Sequence, residues 1–244
     1  MSPRWAGWLM VVLVGAVIGG SARPKLVHTE FVPQASKAVA PGQLDQACAA
    51  MRVRLKGVRG AMVTTDGNRI GVGLPVGANA ARWLNLATRK GELAFVLMPA
   101  DLEGRTSANR TVEWVEKETG RTVPEPAALA AGQVVFDGTD LSPTPRVERE
   151  PAGTTWEVVY QFGPQNKTAF ESLTAQNVGR YLAMTLDGKT LMAQAIRAAM
   201  PGVGVIAGSF SREEAEDLSC LVSGGPLPFP LRPAGPVPTA AARP

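Results

Sequence analysis

The sequence predicts an α+β fold, with a ferredoxin-like βαββαβ-type base and an inserted or appended α+β head subdomain. Three observations carry this expectation. The early elements alternate as strand, helix, two strands, helix and strand, which is the pattern of a compact α+β layer. Two short turns, Asp66-Gly67-Asn68 and Asp187-Gly188, each separate apolar β-forming runs and read as hairpins. Between these regions lies a polar stretch, Pro99 to Gly132, with no clean period, which reads as an excursion from the main fold. The chain has 244 residues, 45% of them apolar, enough to bury a core.

Element by element, Lys25 to Val32 alternates and is rich in β-formers, so it reads as a first strand ended by Pro33. Leu44, Ala47, Cys48, Met51 and Leu55 recur at helical spacing over 43–56, with Gly57 placed to take a left-handed position after the helix. Ala61 to Thr65 and Arg69 to Leu74 form the first hairpin. Asn79 caps a helix reaching Lys90, Gly91 stops it, and Leu93 to Met98 is a buried strand. In the excursion, Thr111 to Glu118 reads as a polar helix and Glu125 to Ala131 as a second short one. Val134 to Phe136 and Thr155 to Phe162 are strands. Thr168 with Glu171 forms a capping box for a helix carrying Phe170 and Leu173 and closed by Gly179. The second hairpin pairs Tyr181 to Leu186 with Thr190 to Ile196, with Ala195 to Met200 open to a helical alternative. Val203 to Ala207 is a strand candidate. Ser211 and Glu214 make a capping box for the final helix, whose core stripe is Ala215, Leu218 and Val222. Seven prolines among the last nineteen residues predict a disordered tail over 226–244.

Composition excludes several function classes. The net charge is +4, with Arg and Lys scattered among Asp and Glu rather than gathered in a stripe, so no nucleic-acid partner is expected. A single histidine, His28, cannot make a triad or a metal site, and neither a metal nor a cofactor is expected. Gly202, Gly204 and Gly208 lack the spacing and the lysine of a phosphate loop. Glu213 and Glu214 point about 100° apart on a helix and are no acid/base pair. The chain is therefore not expected to be an enzyme. Cys48 and Cys220 are too few for a disulfide framework. They read as two unbridged apolar residues on helices that pack near each other.

Arg4 precedes an uncharged apolar run from Trp5 to Ala22. It reads as a signal peptide or as a single N-terminal membrane anchor, and either places the remainder outside the cytoplasm.

Three stretches resemble the first periplasmic domain of the SecD protein-export subunit. Gln46 to Pro75 carries an arginine and Leu-x-Gly-Val ahead of a hairpin and Leu-Pro. Gly91 to Met98 is similar to the strand that follows. Phe170, Thr174, Asn177, Gly179, Leu186, Asp187 and Gly188 fit the family's later series, and Gly208, Phe210, Glu214, Ala215, Leu218, Gly224 and Leu227-Pro228 match its ending. The expected structural motif is Gly57, Asp66, Gly67, Phe170, Thr174, Asn177, Gly179, Asp187, Gly188, Gly208, Phe210, Ser211, Glu214 and Gly224. Where the family has Ser-Ala-Pro after the Asp-Gly-Lys turn, this chain reads Met192-Ala193-Gln194.

The resemblance implies a retained anchor over residues 1–22 and a strand and linker over 23–42. It further implies a SecD-like base from 43–98 and 180–225, and a head-like insertion at 99–179. The implied role is a non-enzymatic accessory factor in protein export, with translocase components or unfolded exported polypeptide as partners and the membrane as tether. The alternative is an exported small-ligand-binding or envelope scaffold module that reuses the fold.

Overall fold

The computed structural model describes residues 25–34, 39–40, 42–107, 111–151 and 153–235. The apolar run at 5–22 and the last nine residues lie outside them. Strand β1 (Leu26–Pro33) leads to helix α1 (Gln43–Arg54), the hairpin β2 (Met62–Asp66) and β3 (Arg69–Pro75), helix α2 (Ala80–Thr88) and β4 (Leu93–Leu97). The middle of the chain forms β5 (Leu102–Thr106), β6 (Val112–Glu116), β7 (Thr122–Val123), α3 (Glu125–Ala131) and β8 (Gln133–Asp137). After a single 3-10 turn come β9 (Arg146–Arg149), β10 (Trp156–Gln161), α4 (Pro164–Gln176), β11 (Tyr181–Leu186) and β12 (Lys189–Ala195). The described chain closes with β13 (Val203–Phe210), α5 (Arg212–Gly224) and β14 (Leu231–Pro233).

The strands form four sheets, ordered β14-β1-β3-β2, β12-β11-β4-β8, β13-β10-β9 and β5-β6-β7, all antiparallel. The fold is thus α+β, as expected. In the first sheet Phe31, Ile70, Val72 and Leu74 face α1, meeting Ala47, Cys48 and Met51, with Leu84 and Ala87 of α2 closing that core. The strand β4 does not join this sheet. It pairs with β11 and β8 instead, because Phe95 and Leu97 face one apolar layer while Val96 and Met98 face another. Such two-sided burial suits a central strand, not the edge of a small layer.

One face of the β4 sheet packs against β10, β13, α4 and α5 through Phe95, Val158, Tyr160, Ile206 and Leu218. Phe162 and Phe170 stack there with centroids 4.2 Å apart. The other face, with Ala183 and Met98, is covered by Trp114 of β6 and Ala128 of α3.

Several expectations are corrected. The expected helix over Thr111–Glu118 is strand β6, whose β-formers Val112, Trp114 and Val115 pair with β5. Helix α4 starts at Pro164, earlier than Thr168, because proline at the first helical position has a preset φ and needs no amide partner. Gly57 does not adopt positive φ; it lies 3.6 Å (as a hypothetical Cβ) from Trp83. Residues 196–200 form no helix. The proline-rich end is ordered through Gly235: Leu227 and Phe229 are buried, and β14 pairs with β1. Leu227 and Phe229 precede the short edge strand Leu231–Pro233, which tolerates Pro233 because one side of its backbone needs no partner. Both cysteines are free, and α1 packs beside α5 as expected.

Arg54, at the end of α1, is fully buried. Its Nη1 donates to the carbonyls of Leu86 (3.4 Å), Ala87 (3.3 Å) and Arg89, and its Nη2 to those of Lys90 (3.1 Å) and Gly225 (2.5 Å). One cation thereby satisfies the orphan carbonyls at the end of α2 and the turn after α5. Burial lowers its pKa to about 10, so the guanidinium stays charged at neutral pH. Two glycines admit it: a Cβ at Gly91, which has φ 69°, would collide with Nη2, and a Cβ at Gly224 would lie 2.8 Å from Cγ. Arg82 adds a second tie between α2 and α5, with Nη2 2.6 Å from Asp217 Oδ1.

Replacing Arg54 with Leu should destabilise the chain by about 3–5 kcal/mol, since several buried carbonyls lose their only cationic donor. Lys at this position should recover less than half of that, because a point charge cannot bridge both helix ends. Urea unfolding of the three chains measures this, and near-equal stabilities would contradict it.

Candidate functional site

The residues expected to carry the motif hold turns and helix ends. Gly67 has φ 56° at the tip of the β2–β3 hairpin, next to Asp66. Asp187 (φ 54°) and Gly188 (φ 78°) form the two-residue β11–β12 turn, in which both central residues take positive φ. The Asp187 carboxylate accepts from the Glu92 amide (2.9 Å) and from Arg89 Nε (2.7 Å), pinning this hairpin to the end of α2. Thr174 is buried: its hydroxyl donates to Phe170 O (3.0 Å) and accepts from the Met200 amide (2.9 Å). Asn177 Nδ2 donates to Leu173 O (2.8 Å), its Oδ1 accepts from Arg180, and Gly179 turns the chain at φ 90°.

Further along, the Phe210 ring folds back over Gly208. Ser211 and Glu214 form the reciprocal cap of α5, and hydrogen bonds from Ser211 hold the Glu214 carboxyl below its ordinary value. Gly224 makes room for Arg54. None of these groups converges on a reaction centre. Among the described residues no group of three metal-ligating side chains occurs.

Among the described residues, a small slot lies between two sheets. Phe95, Tyr160, Leu182, Met184, Met192, Gln194 and Met200 line it. The register explains the grouping: Leu182 pairs with Gln194 and Met184 with Met192, so all four point to the same face of the β11–β12 hairpin. β10 supplies Tyr160 from the opposite sheet, and β12 and β13 are the terminal strands of the two sheets. The interior holds only about 10 Å³, about one water. An inserted side chain must therefore displace Met192 or Met200, and methionine is the residue best able to re-pack at low cost. Burial raises the Tyr160 phenol to about 12, so it stays a neutral donor. Its hydroxyl has no hydrogen-bond partner among the described residues, and it lies against β13, where a Cβ on Gly204 would strike it.

Residues 113–229 match the family model for the P1 head subdomain of SecDF. The chain is 31% identical over 191 residues to protein translocase subunit SecDF of Thermus thermophilus, covering 74% of this chain and 25% of that protein. It is 38% identical over 99 residues to SecD of Acetobacter pasteurianus, covering 40% of this chain and 19% of that one. A solved SecDF structure, described as a membrane component that enhances protein export, superposes at a TM-score of 0.69 with 26% identity. That match covers 86% of this chain and 98% of that one.

Residues 113–229 carry the SecDF P1 head match, and the chain around them is similar to SecD and SecDF. SecDF in its super-membrane-facing form gives a TM-score of 0.72 at 26% identity, covering 87% of this chain and 30% of that chain. The matches cover between 15% and 39% of the length of the curated SecD and SecDF relatives.

Sequence reasoning did not single out the slot as a site. Its one signal was the departure at Met192-Ala193-Gln194, where the SecD pattern has Ser-Ala-Pro. Met192 and Gln194 from that departure line the slot.

The SecD-type slot makes contrasting stability predictions. Gly204→Ala should cost about 1–3 kcal/mol by driving the Tyr160 ring out of place. Tyr160→Phe should cost less than about 0.5 kcal/mol, because its hydroxyl has no protein partner to lose. Thermal unfolding of both variants checks the order, and a reversed order would refute this description of the slot.

Proposed function

We propose that this chain is a non-enzymatic accessory factor in protein export that contacts translocating polypeptide or translocon components outside the cytoplasm. The carrying observation is the Met-lined slot, bordered by two edge strands, on a SecD-type scaffold. An extended chain can add to an exposed strand edge by backbone hydrogen bonds that ignore sequence, while its alternate side chains seek apolar pockets. Methionines accommodate side chains of varied shape, which suits a factor meeting many exported proteins. The relatives' printed role in protein translocation supports the same reading.

The reading extends to architecture and location. We take β1, α1, β2, β3, α5 and β14 as a ferredoxin-like base, since this βαββαβ set has the sheet order β14-β1-β3-β2 with both helices packed together. Residues from α2 to β13 then form an insertion that carries the slot, a different division from the one expected at 98/99 and 179/180. No helix among the described residues is long and apolar enough to cross a membrane. The apolar run at 5–22 is proposed as a single tether or a signal that places the domain in the periplasm or cell envelope.

A photo-reactive amino acid at position 194 in the full chain should crosslink to export substrates arrested in transit in cells. Met192→Asp should reduce that crosslinking by about tenfold, through a charge set in an apolar slot. Crosslinks of equal yield from an exposed position remote from the slot, such as Asp66, would overturn the assignment.

A further inference from the structure

A second depression lies at the opposite end of α1 from its first turn, in the turn that joins α1 to β2. Its volume is about 250 Å³, and Arg52, Leu55, Lys56, Val58, Arg59, Gly60, Ala61 and Val63 line it. The three charged residues are all cations, and no carboxylate is in the lining. Arg52 is held in place by donating to the carbonyl of Val63 at 3.0 Å. Lys56 and Arg59 are exposed and form no ion pair among the described residues.

The base sheet gives this groove a fixed direction. Met62 pairs with Gly73, which pairs with His28, and Pro75 pairs with Leu26. The start of β2 and the end of β3 therefore lie at the end of the sheet where β1 begins, about two strand spacings, roughly 10 Å, across. Exposed aliphatic groups accompany the cations at that end: Met62 is 50% and Val76 64% exposed, and the Val76 amide bonds to Lys25 O at 2.9 Å. The carboxylates of the sheet lie toward its other end, where Asp66 pairs with Arg69 in register and Glu30 forms an ion pair with the Arg69 side chain. A cationic rim with exposed aliphatic side chains is the composition that rests on an anionic bilayer surface.

The bland account is that Arg52 and Arg54 complement the helix dipole and that the other cations are solvated. It accounts for Arg52. It leaves unexplained the acid-free groove and the aliphatic residues grouped at the end where the apolar run at 5–22 joins β1. The run ends at Ala22, and the four residues from there to Leu26 span at most about 14 Å.

We infer that the Arg52–Lys56–Arg59 groove binds the phosphate of an acidic phospholipid headgroup and seats the base on the membrane surface. This rests on the proposed membrane tether and adds a contact that fixes the domain's tilt. The aliphatic residues and the short connection to the apolar run favour a lipid over a free anion.

The test uses the full chain in nanodiscs of phosphatidylcholine, alone or mixed equally with phosphatidylglycerol. Acylation of Lys56 by a water-soluble reagent is followed by peptide mass spectrometry, with exposed Lys189 as the internal control. Phosphatidylglycerol should slow Lys56 modification by about threefold or more and leave Lys189 unchanged. The double variant Arg52→Gln/Arg59→Gln should lose most of that protection while unfolding at the same temperature. Equal Lys56 rates in the two lipids would overturn the inference. So would equal protection by inorganic phosphate in phosphatidylcholine discs, which would mark a free-anion site. Alkaline extraction of the same discs reads the tether separately. If the chain is released, Lys56 protection by added phosphatidylglycerol vesicles still decides the groove.

Discussion

The buried Arg54 guanidinium is the constraint on which the rest of this structure depends. It sits at the end of α1 and binds carbonyls from the end of α2, from the link into β4 and from the turn after α5. Those segments are the connections from α2 into β4 and from α5 toward β14. Without a donor, the carbonyls of two helix ends would be buried and unsatisfied. A cation with five fixed N–H groups meets that need at one point, which lysine's geometry cannot. Gly91 and Gly224 follow from it, since side chains there would occupy the same space.

The slot inherits its shape from this junction. Asp187 ties the β11–β12 hairpin to Arg89 and Glu92, immediately beside the carbonyls that Arg54 binds. That hairpin presents Met184, Met192 and Gln194, while β10 and β13 across the slot are backed by α5, whose return into β14 passes through Gly225. A rigid frame thus surrounds an adaptable lining. This division suits the proposed contact with chains of many sequences.

Much of the fold was legible because periodicity and turn chemistry agreed. The β1 strand, α1, both hairpins, α3 and the Ser211 cap of α5 all fall where apolar spacing and turn residues put them. Three failures have physical causes. Thr111–Glu118 was read as a polar helix because its charges obscured the Val112, Trp114 and Val115 pairing with β5. The pairing of 231–233 with β1 and the burial of Leu227 and Phe229 ahead of it were hidden by proline content. The slot was not legible as a site, since its members come from four strands and a loop and only register brings them together. The family resemblance was legible in residues that lie at turns, in helix caps and in the core. Two slot residues, Met192 and Gln194, lie at a departure from that pattern.

The central claim is that an extended, apolar polypeptide adds to this domain at the edges of β12 and β13. Hydrogen exchange of the full chain, with and without a soluble unfolded apolar peptide, tests it most directly. The account predicts slower exchange confined to amides of 190–195 and 203–209, with the β2 edge at 62–66 unchanged. Peptide binding that leaves those two edges unprotected, or protects the β2 edge instead, would contradict it.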